Sequence, residues 1–335
     1  MMRGQAATRF ILGVLALCIV LACIAPLHAQ QPSPPIDPQA SKVSEQTLLE
    51  QSRRIEGQID LLNETAAVLE QPAGRVWTYF HEVLLRWIGA IAIIGVITVL
   101  AIAYFLLGRL RISAGRSGIK VLRFTSFERF SHWLTATSFV LLALTGLNIT
   151  FGRPLLLPLM GPEAFTTFSE VSKYVHNFIS FAFVLGLILI IAMWMRDNVP
   201  RKADIIWLKE GGGFIPSKHP TAGRFNAGEK LVFWLALGAG VLVSISGYLL
   251  LFPFYVTDIF GMQIAQGVHG IIAVLFIALI IGHIYVGTLG MEGAFEAMGT
   301  GSVDLNWAKE HHGLWLEEEI AKGHAKLPAS ATPAE

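Results

Sequence analysis

Five uncharged stretches, each of about twenty residues or more, punctuate the chain: Trp87–Gly108, Phe130–Phe151, Tyr174–Met195, Leu231–Phe252 and Gln266–Gly290. A helix rises about 1.5 Å per residue, so each can cross a hydrocarbon core about 30 Å thick. Residues 1–29 precede them with Arg3, Arg9, an uncharged run from Phe10 and Leu-His-Ala before Gln30. This pattern predicts a secretory signal peptide cleaved after Ala29. An uncleaved first membrane helix and lipoprotein processing at Cys23 are the alternatives. Residues 30–42 are rich in Pro, Gln and Ser and read as a linker. From Val43 to Glu70 the chain turns polar. Leu48, Ile55, Ile59, Leu62, Ala66 and Leu69 recur there at three-, four- and seven-residue spacings. That narrow seam predicts a helix that either docks a partner subunit or lies on this protein's own extramembrane surface.

Composition supports a membrane protein with several spans: of 335 residues 53% are hydrophobic and 15% charged, and the mean hydropathy is +0.57. A formal net charge of +1 and the lack of a clustered basic tail argue against a nucleic-acid partner. Both cysteines, Cys18 and Cys23, fall in the first apolar run. A disulfide scaffold, an iron–sulfur site and a Cys-ligated zinc are therefore excluded. Lys and Arg gather on cytoplasmic loops. Loop 109–129 holds Arg109, Arg111, Arg116, Lys120, Arg123 and Arg129, and loop 196–230 holds Arg196, Arg201, Lys202, Lys209, Lys218, Arg224 and Lys230. Loop 152–173 has only Arg153 and Lys173, and loop 253–265 has neither Lys nor Arg. The expected orientation puts the mature N-terminus and residues 30–86 outside, with both basic loops and the C-terminus in the cytoplasm.

This topology gives the histidines depths. Ten are present, and only His132, His176, His269 and His283 lie within the spans. His269 and His283 share one face of the last span, fourteen residues and about 21 Å apart along the axis. His132 and His283 fall at the cytoplasmic level, His176 and His269 at the outer level. Ionisable residues inside a membrane are functional suspects. Two level pairs suit bis-histidine ligation of two stacked b-type haems. Neutral imidazole is a good iron ligand, and facing helices can project ligands into one apolar core. Two imidazoles close the coordination sphere and leave electron transfer as the chemistry. Gly267, Gly270, Gly282 and Gly287 flank the ligands. They would let a flat macrocycle approach the backbone, or else mark close helix packing. A haem-free transporter or assembly protein with a histidine proton relay is the alternative of a different class. Glu310-His311-His312 reads as a solvated helix face rather than a metal site.

Beyond the histidines, Arg123–Phe139 (RFTSFERFSHWLTATSF), Tyr174–Phe183, Asn198–Leu208, Arg224–Trp234 (RFNAGEKLVFW), His269–Tyr285 and Trp307–Trp315 (WAKEHHGLW) resemble one known family. It is the cytochrome b (gamma) subunit of membrane-bound respiratory formate dehydrogenases. The bis-histidine pattern is shared with hydrogenase and other respiratory cytochromes; the Phe-Asn-Ala-Gly-Glu-Lys and Trp-Ala-Lys-x-His-His stretches are more specific. The resemblance implies two haem b groups, one on His176 and His269 and the other on His132 and His283. It also implies a quinone site near the inner haem walled by Asn226 and Gly228; on physical grounds alone, Asn-Ala-Gly there would simply turn the chain into the next helix. The implied partners are an iron–sulfur (beta) subunit and a catalytic (alpha) subunit containing molybdenum or tungsten, where formate is oxidised. Electrons would then pass inward to quinone, against about 2.3 kcal/mol per 100 mV of membrane potential. Arg129 is either a haem-propionate partner or an interfacial anchor, and we favour the anchor.

The expected fold is an all-α integral membrane protein, set in the bacterial inner membrane. It comprises a signal peptide (1–29), a periplasmic linker and amphipathic helix (30–86), an extra N-terminal transmembrane helix (87–108), a four-helix di-haem core (120–320) and a cytoplasmic tail (321–335). The first three precede the region of resemblance, and the extra span and outer helix would help anchor the iron–sulfur partner.

Overall fold

The computed structural model describes residues 56–58, 68–70, 74–212 and 220–324. The expected signal peptide, the linker and most of the expected outer helix lie outside these residues. Where that outer stretch is described it is not helical. Strand β1 (Glu56–Gln58) pairs antiparallel with β2 (Val68–Glu70), with Gly57 opposite Leu69. Gly57 offers a physical reason, since glycine inside a helix costs about 1 kcal/mol. A narrow apolar seam also rewards helix only where another surface covers it.

Among the described residues five helical spans are long and apolar enough to cross a membrane: Val76–Leu107, Ser126–Leu155, Pro162–Trp194, Ala227–Leu251 and Ile259–Gly290. The first comprises most of α1 (Gly74–Tyr79), a π-helical turn (Phe80–Leu84) and α2 (Leu85–Leu107). Then come α3 (Ser126–Leu155), the short α4 (Leu157–Met160), α5 (Pro162–Trp194), the short α6 (Lys202–Lys209) and α7 (Ala227–Leu251). Helix α8 (Ile259–Tyr285) runs into a second π-helical turn (Val286–Gly290), followed by α9 (Ala294–Gly299) and α10 (Leu305–Ala321). The protein is thus mainly helical and multi-pass, with small ribbons added to the expected helices. Phe105, Leu106 and Leu107 remain 63–78% exposed. Lipid is the solvent such side chains suit, since in water they would cost about 25 cal/mol per Å².

Most helices begin beyond their uncharged stretches because polar first turns are capped. Thr125 and Glu128 form a capping box at α3: the Thr125 backbone N–H donates to Glu128 Oε2 (2.9 Å) and Glu128 N–H donates to Thr125 Oγ1 (3.3 Å). Asn226 and Glu229 repeat it at α7, each backbone N–H donating to the other's side-chain oxygen at 2.9 Å. Helix α5 starts on Pro162, whose fixed φ suits a first turn, with Glu163 beside the positive end of the helix dipole.

The chain divides into two compact units, one made of the segments up to Gly95, Leu144–Asn177 and Leu242–Leu275, the other of Val96–Ala143, Phe178–Val241 and Phe276–Glu335. In the first, α2 packs through small residues. A side chain on Gly89 would meet Phe151 and Val274, and one on Gly270 would meet Leu85. Arg86 Nε donates to the Thr150 carbonyl (3.2 Å).

The second unit holds a core of soluble-protein type. Strand β3 (Lys120–Leu122) pairs antiparallel with β4 (Ser302–Asp304), Val121 opposite Val303. Around them are buried Phe124, Trp194, Phe225, Leu305, Trp307 and Trp315. The segments opening α3 and α7 share a pattern, Arg123-Phe124-Thr125-x-x-Glu128 and Arg224-Phe225-Asn226-x-x-Glu229, and they clasp each other. Arg123 reaches Glu229 (3.3 Å), Arg224 reaches Glu128, and the Phe124 and Phe225 rings stack at 6.0 Å. Arg123 is also ringed by Phe124, Trp307 and Trp315 at 5.1–5.3 Å from its Cζ.

Asp304 pins the β4–α10 junction. Its carboxylate accepts from Ser117 N (3.1 Å), Ser117 Oγ (3.0 Å), Gly118 N (2.9 Å) and, as the cap of α10, Asn306 N (2.9 Å). Burial works to raise its pKa, but the backbone N–H groups of Ser117, Gly118 and Asn306 outweigh it and hold the carboxyl below its ordinary 3.8. The stabilisation is therefore complete above 3.8 and is lost as pH falls through the lower folded-state value. Asp304→Ala is expected to cost about 2–3 kcal/mol, a lost cap plus orphaned donors. Thermal unfolding in detergent, followed as a function of pH, checks both statements.

Candidate functional site

The four membrane histidines come together as two facing pairs, each pair inside one unit. In the first unit His176 of α5 faces His269 of α8, ring centroids 6.2 Å apart and planes at 71°. In the second, His132 of α3 faces His283 of α8, centroids 6.2 Å apart at 55°. These are the pairs that loop charge and helix spacing predicted. A metal held between two imidazoles needs two bonds of about 2.0–2.1 Å. With a little over 1 Å from each ring centre to its nitrogen, the centroids should lie about 6.3 Å apart. Both pairs meet that separation, so the residues fit a group that places one metal ion between two imidazoles.

Support for the rings is uneven. His269 Nδ1 lies 3.1 Å from the Val243 carbonyl and 3.2 Å from Ser246 Oγ. A carbonyl only accepts, so Nδ1 carries the proton and Nε2 keeps its lone pair for a metal. His176 Nδ1 lies 2.8 Å from Thr145 Oγ1. His132 Nδ1, by contrast, is a buried nitrogen without a hydrogen-bond partner. Glycine follows each hydroxyl residue. A Cβ on Gly146 would stand 3.4 Å from His176 Cε1, and one on Gly247 3.1 Å from His269 Cε1.

Sequence reasoning missed these four supports, although a signal for them is present. The Arg-Phe-x-x-x-Glu segments lie 101 residues apart, and Gly146 and Gly247, each after a hydroxyl residue, keep the same offset. Two of the glycines that sequence reasoning chose act elsewhere. Gly267 and Gly270 face Phe80 and Leu85 of the first span rather than the ligands, and nothing stands close to Gly282 or Gly287. Packing, not cofactor approach, explains the first two. Among the described residues Gly146 and Gly247 are the glycines a side chain would press onto a histidine ring.

Asn226 caps α7, its Oδ1 accepting from Glu229 N, which is the turn-forming role that physical grounds alone favoured. A Cβ on Gly228 would meet Trp207 at 3.3 Å, so the backbone and indole lie close. Arg129 Nη1 donates to the Thr300 carbonyl (2.8 Å), while its Nε is buried without a hydrogen-bond partner. His312 corrects the expectation of a solvated face, being 1% exposed. It sits at a kink (φ −142°, ψ 43°) that turns it inward, its ring 5.1 Å from Trp307 and its Nδ1 2.9 Å from the Gly223 carbonyl. Burial, aided by the nearby Arg123, holds His312 well below the ordinary imidazole value. No group of three His, Cys, Asp or Glu residues that could hold a bare metal ion occurs among the described residues.

Five apolar helical spans carrying two facing histidine pairs define a multi-pass helical membrane protein. Residues 123–301 match the model of the prokaryotic cytochrome b561 family, more than half of the chain, and the chain belongs to that family. It is similar to the formate dehydrogenase cytochrome b556(fdo) subunit of Escherichia coli (strain K12), 31% identical over 59% of this chain and 92% of that one. The nitrate-inducible formate dehydrogenase cytochrome b556(Fdn) subunit of the same strain is 28% identical over 62% of this chain and 94% of its own length. A formate dehydrogenase cytochrome b556 subunit of Haemophilus influenzae is 26% identical over 60% and 84%.

Proposed function

We propose that this chain is the di-haem b membrane subunit of a respiratory formate dehydrogenase. The observation that carries the reading is the pair of facing histidine couples, each at the 6.2 Å separation that one iron between two imidazoles requires. His176 and His269 hold one haem b, and His132 and His283 the other. When bound, haem b supplies one-electron chemistry between an iron–sulfur donor and membrane quinone. The chain's own residues would aim Nε2 of each ligand at the metal and leave it no place to bind substrate, while Phe139, Phe183 and Phe276 pack into one aromatic cluster. Phe139 and Phe276 lie 4.6 Å apart, and Phe183 and Phe276 are 3% and 5% exposed.

Quinone is reduced near the cytoplasmic face, beside Asn226 and Gly228. Capping uses the Asn226 oxygen, and its amide nitrogen can donate to a quinone carbonyl. The names of the relatives favour formate as electron source, with an iron–sulfur subunit and a molybdenum- or tungsten-containing catalytic subunit as partners. Loop charge favours a periplasmic N-terminus and a cytoplasmic C-terminus in the inner membrane.

The test is purification of the complex with its partners. A reduced-minus-oxidised spectrum is expected to show b-type bands, haem analysis two haems per chain, and formate is expected to drive quinone reduction. Lack of any b-type band rejects the reading. A hydrogenase-type large subunit in place of the formate-oxidising one would keep the haems and change the donor. Gly247→Ala, whose new Cβ would press on His269, is expected to weaken retention of one haem by on the order of tenfold. Gly238→Ala, with open space around it, should not. Haem content per chain after detergent washing measures both.

A further inference from the structure

Thr145 and Ser246 form a matched pair, and the match runs deeper than the two hydrogen bonds. Each lies twenty residues after the capping residue of its helix, Thr125 on α3 and Asn226 on α7. Each precedes a glycine that brings the backbone against a histidine ring, and each sets a hydroxyl at Nδ1 of that ring. A duplicated scaffold therefore supports both members of the His176/His269 pair. The other pair breaks the pattern. Position 233, which matches His132 in the repeat, is Phe, and His132 Nδ1 is buried with no acceptor.

We propose that Thr145 and Ser246 make the His176/His269 pair the more reducing of the two haem sites, so that an electron leaving it runs downhill to the His132/His283 pair. This rests on the bis-histidine haem reading above. With Nε2 on the iron, Nδ1 must carry the proton and donate, and Thr145 Oγ1 and Ser246 Oγ then accept. An acceptor on Nδ1–H loads the ring with electron density, strengthens it as a donor to iron and favours the ferric state. His269 gains this twice, from Ser246 and the Val243 carbonyl, and His176 gains it from Thr145. His132 gains none, so its iron is more readily reduced. His176 and His269 would thus hold the one-electron donor and His132 and His283 its acceptor, the electron lost at the first site being the one gained at the second. The Nδ1 protons stay in place.

Potentiometric measurement on the purified complex, followed in the b-type absorption band and by the low-spin ferric resonance signals, tests this. Two one-electron waves are expected. Thr145→Val and Ser246→Ala should each move the lower wave to a more positive potential and leave the higher one in place. Thr145→Ser, which keeps an acceptor, should restore the original value. If Thr145→Val loses haem, Ser246→Ala still decides, because the Val243 carbonyl continues to hold the ring. Movement of the higher wave, or of neither, with two haems still bound overturns the proposal. Absence of both waves from the unaltered complex would instead reject the haem reading itself.

Discussion

His283→Ala is expected to halve the haem content, from two per chain to one, and to abolish formate-driven quinone reduction. Within its unit His283 is the partner facing His132, at 6.2 Å. Removing it would take away one of the two imidazoles that would hold the metal at this pair. Loss of an outer-shell support alone costs roughly 10–100-fold in metal affinity, so loss of the ligand should exceed that. His269→Ala should likewise halve the haem content, and the two variants should lose different spectral components, since His269 faces His176 in the other unit. His81→Ala, on an exposed histidine near the start of the first span, serves as the control and should keep both haems. Haem analysis with low-temperature spectra provides the measurement. Two unaltered centres in His283→Ala would mean that the facing rings do not hold iron.

The four histidines were legible because the signal is one-dimensional. Span boundaries and loop charges assign each a depth, and depth alone sorts four residues into two pairs. What the sequence hid is whatever depends on rotation about a helix axis. Gly267 and Gly270 lie close to His269 along the chain, yet they point at Phe80 and Leu85, and hydropathy cannot distinguish a lipid-facing side from a helix-facing one when nearly all residues are apolar. Gly146 and Gly247 touch the rings from helices remote in sequence, so only the 101-residue repeat could have revealed them. His312 was misread for a related reason. Its place in a charged helix suggests solvent, and a backbone kink that no periodicity encodes turns it inward. The short β3–β4 ribbon escaped notice because three-residue strands leave no measurable alternation.

The second large effect concerns stability, and it falls on the two carboxylates of the Arg-Phe clasp. Glu128→Ala is expected to destabilise the protein by about 3–5 kcal/mol, the range for breaking a buried ion pair from one side. Three losses coincide at this carboxylate, whose side chain is only 11% exposed. The capping box at α3 disappears, which alone is worth about 0.5–2 kcal/mol. The Trp194 indole N–H, now donating to Glu128 at 2.8 Å in a buried bond, is orphaned at about 1–3 kcal/mol. Arg224 is left with Asp197 alone, at 2.9 Å, while its Nε is already buried and unpartnered. Glu229 holds the corresponding place on α7, yet its side chain is 39% exposed. Its partner Arg123, however, is only 1% exposed, so Glu229→Ala strands a buried guanidinium and should cost a comparable amount, about 3–5 kcal/mol. Glu128→Gln, which keeps an acceptor for Trp194, should cost less than Glu128→Ala. Unfolding in detergent, with both haems monitored, ranks the three. A loss below about 1 kcal/mol in either alanine variant would show that the buried member of each pair does not govern the clasp.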